Sequence, residues 1–242
     1  MLTKLSVFLI LFGFHFPIFS KLPKVDVQTI YLGQTPIQIR HENYGPGKVF
    51  VHLHANETTA LLAAREVSRQ YGGQVITLVH QKERDIRFIY RKHRYTFDPN
   101  RIFTHQGVRH TLIKHHCYDP RVIPMIRHFA EVILKTIPTK QKVVAVHNNK
   151  EYSLRDYFPK HELAHDALGY YYKTKSNYRN FYLVTTNEDF KRFKTYGFNV
   201  VEQAKVAQDD GSLSIAMANN SYVNVEAGFG QLQSQKKMLH KA

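Results

Sequence analysis

Four side chains in this sequence could together do hydrolytic chemistry: His54, Glu57, His147 and Glu226. Zinc takes imidazole and carboxylate ligands, and a catalytic zinc keeps one position open for water. His54, Glu57 and His147 form such a ligand set, with the first two only three residues apart. A bound metal lowers the pKa of its water and polarises a carbonyl; Glu226 is then placed to take a proton from that water and pass it to a leaving amine. The H-x-x-E spacing alone is weak, because a chain with 15 histidines yields such a match by chance about once in two sequences. The stronger signal is where these residues fall relative to the strands.

Residues 48–54 (KVFVHLH) alternate and predict a strand, and residues 57–71 carry Leu61, Ala64, Val67 and Tyr71 at helical spacing before Gly72-Gly73. Further strands are expected over 74–80, 142–147, 181–186, 199–203, 212–218 and 222–227, with an extended stretch over 86–97. Helices are expected over 121–137 (weakened by Pro124), near 188–196, and at the C-terminal end. This alternation predicts an α/β fold: a single three-layer domain over 21–242 with a mixed, mostly parallel sheet and helices on both faces. In open α/β sheets ligands bind beyond the carboxyl ends of the strands. His54, His147 and Glu226 end three of these strands, and Glu57 opens the helix after the first.

The 242 residues are 43% hydrophobic and 22% charged, too apolar for a disordered chain. A single cysteine, Cys117, excludes an intrachain disulfide and a multi-thiolate metal site. The net charge of +15 predicts attraction to anions and fits an acidic substrate. Residues 1–20 (MLTKLSVFLILFGFHFPIFS) join one lysine to a short apolar run, the pattern of a secretory signal peptide; an uncleaved anchor is the alternative. The run is too short for a comfortable membrane span. Export with one cysteine fits a periplasm or secretion.

The segments HANETTA (54–60), RYTFDPNRIF (94–103), VVAVHNN (143–149) and YVNVEAGFG (222–230) resemble, in order, motifs of the zinc carboxypeptidase superfamily, in particular its aspartoacylase and succinylglutamate desuccinylase branch. The resemblance implies a zinc carboxypeptidase-like fold with one zinc per chain, bound by His54, Glu57 and His147. Glu226 would be the catalytic general base and acid. Asn100 and Arg101 would hold a substrate carboxylate, a task suited to the two-pronged guanidinium. Arg94 would stabilise the oxyanion, with Arg91 as its competitor, and Asp98 would orient arginine or histidine partners. Ala55 and Ala145 depart from the family pattern, the latter where an aspartate often stands two residues before the third ligand. The implied activity is metal-dependent hydrolysis of an amide in a peptide, such as a cell-wall stem peptide, or in an N-acyl amino acid, with a free carboxylate on the substrate.

Two other readings compete. His161-Glu162-Leu163-Ala164-His165 is a literal HExxH, which on a helix gives a zincin metal site; a polar turn or loop above the active-site rim is its bland counterpart. A non-catalytic basic binding protein is also compatible with the charge. No recognised nucleic-acid-binding module is present.

Overall fold

The computed structural model describes residues 22–138, 141–173 and 176–242. The expected signal segment, residues 1–20, lies outside the described residues.

Eleven strands and six α-helices are present among the described residues. The chain opens with an antiparallel pair, β1 (Lys24–Leu32) and β2 (Thr35–Asn43), followed by β3 (Val49–His52), α1 (Thr58–Tyr71) and β4 (Gln74–Val79). A two-stranded hairpin, β5 (Ile86–Tyr90) and β6 (His93–Phe97), leads into α2 (His105–Lys114) and α3 (Ile123–Thr136). Then come β7 (Val143–Asn149), β8 (Ala167–Tyr171), β9 (Phe181–Val184), α4 (Asn187–Thr195), β10 (Val200–Gln203), α5 (Leu213–Ala216), β11 (Tyr222–Gly228) and α6 (Leu232–Lys241).

Nine strands form one sheet in the order β1-β2-β4-β3-β7-β11-β9-β10-β8. The expected mixed sheet is present, with its parallel part in the centre: β4, β3, β7 and β11 run side by side in one direction, and β9 and β10 also pair parallel. The flanking pairs β1-β2, β2-β4, β11-β9 and β10-β8 are antiparallel. Strands β3, β7 and β11 are buried along their whole length, because helices cover both faces. On one face Val49, Val51, Val143 and Ala145 pack with Leu112 of α2 and with Ile126, Phe129 and Ile133 of α3. On the other, Phe50, Val144, Val146 and Val223 pack with Ala60 and Ala64 of α1, Phe193 of α4 and Leu239 of α6. The period-2 alternation of each strand thus feeds two cores, giving three layers.

Local signals set several boundaries. Helix α1 ends at Gly72, whose φ of 81° suits a residue without Cβ. Pro124 does not break α3; it sits in the first turn, where no intrahelical N–H is required. The segment 212–218, expected as a strand, instead carries α5. The Asp210 carboxylate accepts the Ser212 N–H and Asn100 Oδ1 accepts the Leu213 N–H, so local and tertiary hydrogen bonds override the alternation there. Among the described residues no helix is long and apolar enough to cross a membrane.

Candidate metal centre and its cleft

The turn after β3 builds the first half of the site. The Glu57 N–H donates to the His54 carbonyl at 3.0 Å, and the Ala60 N–H donates to the Glu57 carbonyl at 3.1 Å. The turn places both side chains at the start of α1, fully buried. Its backbone is fixed from below by His52, whose Nδ1 meets Thr77 Oγ1 at 2.8 Å and whose Nε2 meets the Glu57 carbonyl at 3.1 Å. Burial pushes the His52 imidazole down to about 4, so it is neutral and can donate through Nε2 while accepting through Nδ1.

The second half comes from β7. Parallel pairing of β3 with β7, in the register Val51↔Ala145, brings the carboxyl ends of the two strands together. His147 Nδ1 then lies 3.2 Å from His54 Nδ1 and 3.0 Å from Glu57 Oε2, while His54 Nδ1 lies 3.0 Å from Glu57 Oε1. His54, Glu57 and His147 are thus gathered as one buried group of potential metal donors. Donors separated like this can all lie about 2.0–2.2 Å from one point beside their plane, the bond length zinc requires. His54 Nε2 meets Asp98 Oδ1 at 2.7 Å, which keeps a ring proton on Nε2 and turns Nδ1 toward the other donors, where a metal ion would displace the second ring proton.

The electrostatics suit a cation. Burial opposes charge on His54, but Glu57 and Asp98 outweigh it and hold the imidazole up at about 9. Burial likewise favours the neutral Glu57 carboxyl, yet His54 and His147 keep it well below the ordinary carboxylate range. Asp98 is held well below that range too, by His54 and then Arg84 against its own burial. Two carboxylates packed around these imidazoles are the charge balance a divalent ion would satisfy.

Two buried residues with side-chain amides, Asn148 and Gln235, brace the centre. The Asn148 N–H donates to Glu57 Oε2 at 3.1 Å, and Asn148 Oδ1 accepts the Ala60 N–H at 2.8 Å, tying β7 to the start of α1. Gln235 of α6 donates to the His147 carbonyl at 2.9 Å and accepts from Asn148 at 2.9 Å. His147 Nε2 is buried without a hydrogen-bond partner among the described residues. Ala145, two residues earlier on the same face of β7, has no acceptor to offer it.

Glu226 is the register partner of His147 across the β7-β11 pair. Its Oε2 accepts from Asn149 at 3.0 Å and its Oε1 from Asn224 at 3.1 Å, two neutral donors that fix the carboxylate without an ion pair. His147, Glu57 and Glu226 line one cleft of about 940 Å³, together with Asn100, Arg101 and Arg84. Asn100 Oδ1 accepts the Leu213 N–H, so what the side chain can offer a ligand is its NH₂ group. Arg101 Nη2 lies 3.4 Å from Asp210 Oδ2.

Arg94, expected as the oxyanion arginine, is not among the residues that line the cleft. Arg94 pairs with Ile89 on the outer face of the β5-β6 hairpin, while its neighbours Tyr95 and Phe97 point into the core. Strand alternation therefore sends Arg94 to solvent, away from the cleft lining. Arg91 fares no better: it occupies the hairpin turn with φ of 49°. The arginine at the centre is Arg84, from the bend after β4, which donates to Glu57 Oε1 at 2.7 Å and lies 3.3 Å from Asp98 Oδ2. The strand-end rule that singles out His54 and His147, applied to β4, leads to this bend.

The HExxH segment forms no α-helix. His161 and Glu162 lie in exposed turns, and His165 is in a single 3₁₀ turn over Ala164–Asp166, so the i,i+4 geometry of a zincin site is absent. His161 and Glu162 line the rim of the cleft instead. The cleft also departs from the charge expectation. Besides Glu57 and Glu226 it is lined by Glu151, Asp156, Glu162, Asp166 and Asp210, against Arg84, Arg101 and Lys150, although the whole chain carries +15.

No protein-family model matches the chain, and no curated protein matches its sequence. Among solved structures the chain is similar to a succinylglutamate desuccinylase/aspartoacylase from Rhodobacter sphaeroides, with a TM-score of 0.43 and 11% identity, over 95% of this chain and 67% of that one. The functional reading therefore rests on the site geometry.

Proposed function

We propose that the chain is a zinc-dependent amide hydrolase that acts on a peptide or N-acyl amino acid bearing a free carboxylate. The observation that carries this reading is the buried His54–Glu57–His147 donor set, with the carboxylate of Glu226 on the adjoining strand and a cleft leading to both. A zinc ion held there would supply Lewis acidity and a lowered pKa for the attacking water. Glu226, held by Asn149 and Asn224, takes the proton of that water on a carboxylate oxygen and returns it to the leaving amine. Arg84 places a guanidinium beside Glu57, where it stabilises charge developing on the scissile carbonyl oxygen, the role the resemblance implied for Arg94. Asn100 and Arg101 receive the substrate carboxylate through N–H donors. Residues 1–20 support export to a periplasm or the medium, which N-terminal sequencing of the mature protein from a fractionated cell tests.

Elemental analysis combined with variants tests the assignment. Purified protein is expected to hold one zinc per chain; His54→Ala and His147→Ala lose it. Glu226→Gln keeps the ion and loses turnover by about 10²–10⁴-fold. Retention of stoichiometric metal by both histidine variants would overturn the reading.

A further inference from the structure

The acidic wall of the cleft is the feature the proposed mechanism does not use. Glu57 is assigned to the ion and Glu226 to proton transfer. Asp156 accepts the Ser153 N–H and Asp166 the Gln208 N–H, which fixes both carboxylates at the cleft edge. Two of the three cleft cations are already engaged in ion pairs, Arg84 by Glu57 and Asp98, and Arg101 by Asp210 and by the Asn100 carbonyl at 2.8 Å, while Lys150 lies over the Phe229 ring at 5.8 Å.

A second observation points to a ligand rich in N–H donors. Asn224 and Asn149 line the cleft, each 6% exposed, and the Oδ1 of each accepts no hydrogen bond among the described residues. Flipping either amide would set its carbonyl oxygen against Glu226, so these orphan acceptors are fixed by the carboxylate they hold. A buried unsatisfied acceptor is costly and calls for a donor. Along β11, past Asn224, the wall continues through Tyr222 to Ser212, Ser214 and Gln203, with Ser212 Oγ 2.9 Å from Ser214 Oγ. This wall is hydroxyl- and amide-bearing and has no cation of its own. An aliphatic side chain would desolvate it without return, and an acidic one would face Asp210.

Building on the hydrolase reading, we propose that the substrate residue whose carboxylate binds Asn100 and Arg101 also carries a cationic side chain, an ammonium or guanidinium, received by Asp210 and the orphan amide oxygens. The Arg101–Asp210 pair would then exchange partners: Arg101 takes the substrate carboxylate and Asp210 the substrate cation. Exchange of one ion pair for two keeps every charge compensated.

The test uses the wild-type protein and a series of N-acetylated dipeptides ending in lysine, arginine, norleucine or glutamate. Lysine and norleucine share a chain length and differ in the charge. The expected result is kcat/KM about tenfold or more higher for the lysine or arginine end than for norleucine, with glutamate lowest. Asp210→Asn is expected to bring the lysine-to-norleucine ratio toward one. Calorimetry on the wild-type protein gives a readout without turnover, since a free amino acid has no amide to cleave: free lysine or arginine binds more tightly than norleucine or glutamate. Equal or better hydrolysis of the norleucine or glutamate substrate overturns the proposal and leaves the hydrolase reading standing. Hydrolysis of none of the series by protein with its full ion content overturns both.

Discussion

Gln235 of the C-terminal helix donates a 2.9 Å hydrogen bond to the backbone carbonyl of His147, so the strand that presents one metal donor is held in place by a helix 88 residues further along. Gln235 is fully buried and also holds Asn148, whose own N–H binds Glu57. One side chain therefore fixes the backbone beneath two of the three donors. Gln235→Leu keeps the volume and removes both bonds. Expected outcomes are a stability loss of about 1–3 kcal/mol from the stranded polar groups and metal affinity weaker by about 10–100-fold. Chelator competition and thermal melts measure the two separately, and unchanged metal affinity would deny Gln235 its positioning role.

Gly107 of α2 and Gly211 touch through their backbones. A Cβ on Gly107 would come within 2.3 Å of the Gly211 Cα and 2.7 Å of the Arg101 carbonyl. The contact seats the loop carrying Asp210 against the turn carrying Arg101, and the Phe103 N–H to Gly211 carbonyl bond at 2.9 Å locks it. Gly107→Ala is expected to cost about 1–3 kcal/mol through overpacking. Displacing Arg101 and Asp210 should raise KM more than it lowers kcat, a split that steady-state kinetics reads directly.

Arg84 and Arg94 make a paired test of which arginine stabilises the oxyanion. Arg84→Gln removes the guanidinium beside Glu57 and is expected to lower kcat by about 10²–10³-fold, as loss of an oxyanion donor does. Arg94→Gln, on the solvent face of the hairpin, is expected to leave kcat/KM within about twofold, since surface substitutions away from a site have small effects. The reverse pattern would return the role to Arg94.

Far from the cleft, Glu42 accepts from Arg65 at 2.5 Å, from Arg40 at 2.8 Å and from Tyr44 at 2.9 Å, with 3% of its side chain exposed. Burial raises its pKa, but the bonds from Arg65, Arg40 and Tyr44 outweigh burial and leave it below the ordinary value of 4.5. A carboxyl depressed in the folded state contributes stability that is present above its unfolded pKa and is lost as pH falls through its folded value. Glu42→Gln is therefore expected to lower stability by about 1.5–3 kcal/mol at pH 7. The gap between variant and wild type should narrow below pH 4.5. Denaturant titrations at several pH values check both the size and the sign.

Much of this molecule was legible in the sequence because its information there is local and periodic. The alternation in 48–54 and 142–147, the helical spacing in 57–71 and the glycines after it are readable without partners, and β3, β7 and α1 follow them closely. The strand-end rule then sufficed to single out His54, Glu57 and His147, which the fold brings together. Three matters needed the tertiary structure. Strand phase decided the arginines: whether position 94 faces the core or solvent depends on which face of the hairpin packs, and Tyr95 and Phe97 take the inside. Long-range hydrogen bonds decided α5, since Asn100 lies 113 residues from the N–H it receives. Charge distribution decided the character of the cleft: a sum of +15 fixes the far field, but carboxylates from several separate segments meet around one opening only once the chain is folded.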